Sequence, residues 1–212
     1  MSEQMKKVKG QEQGKKPIAI AVTLILLVIS LIFVILFASK NIAYKQELQV
    51  NTGEDIVEDF KQLDRKLDYL ESNINLLIDK GGNWDEAAAL TSSYSRVLLQ
   101  DVSEHIEALY AIGNSIESKK FGPESKMQLE MWHVAQDELM MNLEESGKQM
   151  HKDHYSGLQL LQGQIDQMQA AVGRFNFKME GVKNAMIRLS AGFDWIEYVE
   201  EISEVAIVED AQ

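Results

Sequence analysis

Residues 17–39 read PIAIAVTLILLVISLIFVILFAS, 23 consecutive positions without a charged side chain. At about 1.5 Å per helical residue, such a stretch covers the roughly 30 Å of hydrocarbon in a bilayer core. It is apolar on every face, whereas a core helix of a soluble protein keeps a polar side. A cleaved signal peptide has a shorter apolar region, about 7–15 residues, and small side chains just before the cut. A cut after Ala38 or Ser39 would place Leu36 or Phe37 where a small residue is needed. The stretch therefore reads as an uncleaved transmembrane helix that attaches the chain to a membrane through residues 17–39.

The flanks orient it. Residues 1–16 hold Lys6, Lys7, Lys9, Lys15 and Lys16 against Glu3 and Glu12, and positive flanks stay on the cytoplasmic side. Lys40 and Lys45 reduce the contrast without reversing it. The expected layout is a cell-membrane, single-pass protein with a short basic cytoplasmic tail over 1–16 and the C-terminal domain extracytoplasmic. A tail that short cannot fold into a kinase or phosphoacceptor module, so any signal from the outer side has to pass through a partner.

Beyond the span the composition changes. The chain is 45% hydrophobic and 25% charged, a globular balance, with only two prolines and no cysteine. That excludes disulfides, thiolate metal sites and cysteine nucleophiles. No N-x-Ser/Thr sequon occurs, and both absences fit a bacterial extracytoplasmic domain. The residues after the span carry 16 basic against 31 acidic side chains, net −15. Such a surface repels nucleic acid and anionic headgroups, so no nucleic-acid partner is expected.

Heptad spacing organises this acidic part. After a juxtamembrane stem over 40–52, Ile56, Phe60, Leu63, Leu67, Leu70, Ile74 and Leu77 alternate four and three apart, a seam that predicts a helix from Gly53 to Lys80. Gly81, Gly82 and Asn83 stop it and supply the next cap. A second helix, Trp84 to Ser118, turns Leu98, Val102, Ile106, Leu109, Ile112 and Ile116 inward, its first half being rich in alanine and serine. Pro123 suits the first position of a third helix running to Met150. There the inward stripe is read as Met127, Met131, Val134, Leu139 and Met141, with Trp132 and Leu143 beside it.

The last segment has the most regular pattern. Leu158, Leu161, Ile165, Met168, Val172, Phe175, Met179, Val182, Met186, Leu189, Phe193 and Ile196 keep the three–four alternation, the mark of a coiled-coil or bundle helix. Its glycines soften it, and Ser190-Ala191-Gly192 is the expected break. The fold class expected is all-α: one N-terminal transmembrane helix, then an extracytoplasmic antiparallel four-helix bundle with long coiled-coil-like helices over 53–204, and an acidic tail over 205–212. A continuous helix from Tyr155 to Glu204 would be about 75 Å long at 1.5 Å per residue, against about 42 Å for the first. Either the stem extends the first helix to meet the overhang, or a second copy covers the exposed seam, making a homodimer.

Candidate chemistry is sparse. Glu130 and His133 match the Glu-x-x-His element of ferritin-like metal sites, but such sites need a second copy that the sequence lacks. His151 and His154, with Asp153 between them, could meet a divalent ion on one helical face, or simply belong to a polar loop. His105 lies near the inward stripe of the second helix and reads as a satisfied core histidine. No cofactor or catalytic constellation is expected. At the C-terminal end, Phe193, Trp195, Ile196, Tyr198, Val199 and Ile202 stand among acids with no basic residue after Arg188. Aromatics among acids make a docking helix for a basic partner, unless one face simply packs on the bundle.

The leading expectation is thus a non-enzymatic, membrane-anchored helical-bundle protein that binds another membrane or envelope protein, as a scaffold or assembly factor. The alternative is a ligand-sensing bundle that signals through a partner. A metal-dependent, ferritin-like redox enzyme is the most distant reading.

Overall fold

The computed structural model describes residues 3–81, 85–145 and 152–206, with side chains from Ile20 onward. Regular structure among them is entirely helical: α1 (Glu3–Lys80), α2 (Glu86–Ile116), α3 (Pro123–Glu145), α4 (Lys152–Val172), a 3-10 turn (Phe177–Met179), α5 (Lys183–Ser190) and α6 (Ile196–Val205). The chain divides into two compact units, residues 1–48 and 49–212.

The first unit consists of the N-terminal part of α1. Its side chains from Ile20 to Phe37 are exposed, and its most apolar 18-residue window has a mean hydropathy of 3.3 with no residue buried. This helix is long and apolar enough to cross a membrane.

The second unit is built around the α1 seam. Ile56, Phe60, Leu63, Leu67, Leu70, Ile74 and Leu77 are all fully buried within the single chain. Burial of each such side chain contributes about 1.5–3 kcal/mol, the main reason the helices stay together. The stem is helical and continuous with this seam, and Val50 packs against the core. Cross-links between side chains set the directions. Asp59 and Lys66 of α1 pair with His105 and Asp101 of α2, so the two run antiparallel. Ser92 of α2 donates to the Met140 carbonyl and Tyr110 to the Gly122 carbonyl, which lays α3 antiparallel to α2. Trp132 Nε1 donates to Gln164 Oε1 at 2.9 Å, tying α3 to α4 inside the core.

The start of α2 is capped by Asp85, whose carboxylate accepts from the Ala88 N–H at 2.9 Å. Asn83, expected as part of the cap region, lies outside the described residues. The small half of α2 packs closely, with Ala88, Ser92 and Ser95 buried.

Two expectations need correction. On α3 the buried residues are Leu129, Trp132, Gln136, Met140 and Leu143. Met127, Met131, Val134 and Met141, read as the inward stripe, are exposed, and Leu139 is half-buried. Both stripes have helical spacing; the buried one carries Trp132, whose indole N–H reaches Gln164 of α4.

The second correction concerns the last segment, which is not one helix. It breaks after Val172 and again around Gly181, neither of them expected, and a third time at Ala191–Trp195, beside the break expected at Ser190-Ala191-Gly192. Gly181 and Gly192 adopt φ of 71° and 90°, values that an L side chain resists. The chain past α4 nevertheless keeps running along α1: Phe175 stacks on Phe60 at 4.2 Å, and Met186 of α5 lies on Gly53. A Cβ built on Gly53 would sit 2.3 Å from the Met186 carbonyl oxygen, so only glycine permits this approach. After Gly192 the chain reverses, and α6 packs on α4, α2 and α3. The overhang is therefore shortened by folding back on itself. Val182 and Phe193, seam positions on paper, are exposed.

Candidate functional site

The turn between α5 and α6, together with α6 itself, holds the six aromatic and aliphatic residues singled out in the sequence. Two left-handed residues, Gly192 and Asp194 (φ 70°), flank Phe193. Glycine adopts this conformation freely, and aspartate is among the few side chains that tolerate it. Arg188 holds Asp194 there through hydrogen bonds of 2.9 to 3.2 Å. The result turns Phe193 outward, 59% exposed, with the Arg188 guanidinium 5.8 Å from its ring centre. Trp195 goes the other way. It is buried edge-on against Phe60 and donates from Nε1 to the Leu189 carbonyl at 2.7 Å.

Ile196, Val199 and Ile202 are buried as well. Four of the six residues thus form core, which leaves Phe193 and the half-buried Tyr198 at the surface. Tyr198 is itself covered by Arg174, 4.7 Å above its ring.

Three acids of this region carry basic partners. Lys120 bonds Glu200 at 3.0 Å, Arg174 pairs with Glu201, and Arg188 with Asp194. The Glu200 carboxylate, with Glu117 nearby, raises the Lys120 pKa above the usual ammonium value. Among the described residues no ion pair engages Glu197 or Glu204. Glu117, Lys120, Phe193, Asp194, Glu197 and Tyr198 line a surface cleft of about 380 Å³.

Three of the four candidate metal ligands, Glu130, His133 and His154, lie among the described residues. Glu130 is exposed and pairs with Lys126 at 3.5 Å. His133 is half-buried, and its buried Nδ1 has no hydrogen-bond partner among the described residues. His154 is half-buried, and His151 lies outside the described residues. Among the described residues no group of three or more metal-ligating side chains occurs. His105 meets Asp59 at 2.9 Å between α2 and α1. Burial pushes the Asp59 carboxyl above the ordinary aspartate value, with the His105 contact opposing the shift.

Sequence reasoning missed the surfaces that the fold leaves apolar. On α3, Met127, Met131 and Val134 are 54%, 61% and 63% exposed. On α2, Leu90, Tyr94 and Val97 are exposed at the same four–three spacing, and on α1 so are Tyr69 and Leu76. The Asp59–His105 and Lys66–Asp101 pairs set a register that brings Tyr69 level with Val97 and Leu76 level with Leu90. The available signal was that α2 and α3 each contain two interleaved apolar stripes, of which a helix buries only one.

No protein-family model, curated protein or solved structure matches the chain.

Proposed function

We propose that this chain is a non-enzymatic, single-pass membrane protein that works by binding another membrane or envelope protein. In this reading residues 17–39 span the membrane, the lysine-rich tail is cytoplasmic, and α1 from Gln49 onward, α2, α3 and α4 form an extracytoplasmic antiparallel bundle. One observation carries the reading: large apolar side chains stand on the outer faces of α2 and α3 in helical register, alongside complete inner seams. Contiguous apolar surface on a soluble unit marks sites of association.

A photo-crosslinking side chain placed at Tyr94 or Met131 in the full-length protein, expressed in its own cells, is expected to give discrete adducts. The same group at exposed Lys178 should give none. Adducts of equal intensity from all three positions, or none from any, would contradict an interaction role. The cysteine-free sequence makes orientation easy to read. A single cysteine replacing Lys178 should react with a membrane-impermeant thiol reagent on intact cells, and one replacing Lys9 should not.

The cleft beside Phe193 supports the second reading, a ligand-sensing bundle that signals through a partner. A small molecule bound there would raise the melting temperature of the full-length protein in a dose-dependent way, and Phe193→Ala would abolish that shift.

A further inference from the structure

The outward face of α3 has more than exposed methionines. Met127, Met131, Val134, Glu138, Met141 and Glu145 follow one another at spacings of four, three, four, three and four. That is a second heptad seam, on the side of α3 away from Leu129, Trp132, Gln136, Met140 and Leu143. All six residues are exposed. Two of the six seam positions, one heptad apart, are carboxylates, and among the described residues no ion pair engages Glu138 or Glu145. Lys126, at the other end of this helix, is paired with Glu130.

We infer that this seam docks an amphipathic helix of another protein that carries Lys or Arg in its apolar stripe, at two positions one heptad apart. This rests on the interaction reading above and names its surface and partner class. Charge complementarity selects the occupant. Covering Glu138 and Glu145 with apolar side chains would strand two carboxylates away from water, whereas a basic group opposite each one satisfies it as the helices close. A second copy of this chain fits badly. In parallel register Glu138 and Glu145 each face their own counterpart. Like charges at seam positions oppose pairing. The unit's net acidity also draws a basic segment in and holds other copies away. Methionines suit the task, because an unbranched thioether adapts to different opposing side chains.

The test uses the full-length protein in lipid nanodiscs and two synthetic three-heptad helical peptides with leucine stripes. One peptide has lysine at the two positions meant to face Glu138 and Glu145, and the other has glutamate there. Fluorescence anisotropy should show the lysine peptide binding about tenfold more tightly or better. The double variant Glu138→Lys/Glu145→Lys should reverse the preference, and Met131→Ser should weaken both peptides. These side chains are exposed, so the variants keep the fold, which circular dichroism checks. Equal binding of the two peptides, or a preference that the double charge reversal leaves in place, overturns the proposal. So does a dimer of the full-length protein that Met131→Ser dissociates, since a second copy would then own the face. Crosslinks from Tyr94 with none from Met131 would remove the α3 seam while leaving the interaction role intact.

Discussion

Two segments of this protein have the same apolar rhythm and fold differently. Between Ile56 and Leu77 the four–three alternation belongs to one unbroken helix whose seam is fully buried. Between Leu158 and Ile196 an equally regular alternation is divided among α4, a 3-10 turn, α5 and α6. The difference lies in the residues between the apolar ones. No glycine interrupts the first seam, whereas Gly173, Gly181 and Gly192 punctuate the second, two of them at positive φ. Spacing decides which side chains share a face. Glycine placement decides whether the helix persists long enough to present that face as one surface.

The sharpest way to break the comparison is to remove the residue that joins the two segments. Phe60 of the unbroken helix stacks on Phe175 and meets the edge of Trp195 at 6.4 Å, so the middle and the C-terminal end of the interrupted segment rest on it. Phe60→Ala is expected to cost about 3–5 kcal/mol in chemical denaturation. Hydrogen exchange should show α5 and α6 opening before α2 and α3. A uniform loss of protection would mean that the interrupted segment does not depend on this contact.

The same substitution at two glycines should give opposite signs. Gly192 has φ of 90°, and a Cβ there would lie 2.6 Å from Ile196 Cδ1, so Gly192→Ala should destabilise by about 1–2 kcal/mol. Gly163 sits inside α4 with open space where a Cβ would go, and Gly163→Ala should stabilise by about 0.5–1 kcal/mol. If both changes stabilise, the breaks in the last segment are not enforced by backbone conformation.

The smallest expected effect concerns a helix start. Hydrogen bonds from Lys80 and from the Ala88 N–H hold the Asp85 carboxyl below the ordinary aspartate value. A carboxyl lowered in the folded state adds stability that is complete above its unfolded pKa and fades as pH falls through the folded one. Asp85→Ala should therefore lose stability at neutral pH, and the gap from the parent protein should close in acid. A gap that stays constant across that range would show that Asp85 acts by backbone preference alone.

Much of the helical layout could be read from local pattern. The apolar span, the α1 seam, the inward residues of α2 from Leu98 to Leu109 and the start of α3 at Pro123 all follow from composition, periodicity and capping chemistry. The surface of α3 could not be read in this way. Its two stripes have similar spacing and hydrophobicity, and the choice between them depends on how Trp132 meets Gln164 and how Ser92 reaches the Met140 carbonyl. Trp195, Ile196, Val199 and Ile202 could be read from sequence either as a docking face or as a face packed on the bundle, and they are core. Their burial requires the reversal at Gly192, which periodicity does not encode.

Local sequence was sufficient for the first three helices, their apolar stripes, the break at Gly192 and the apolar span, because those depend on neighbours within a turn or two along the chain. Which stripe points inward, how the last segment folds back after its breaks and which side chains stay at the surface were settled by packing between distant segments. Burial is a property of the surfaces that meet, and a helix with two apolar stripes buries the one whose shape its neighbours can fill.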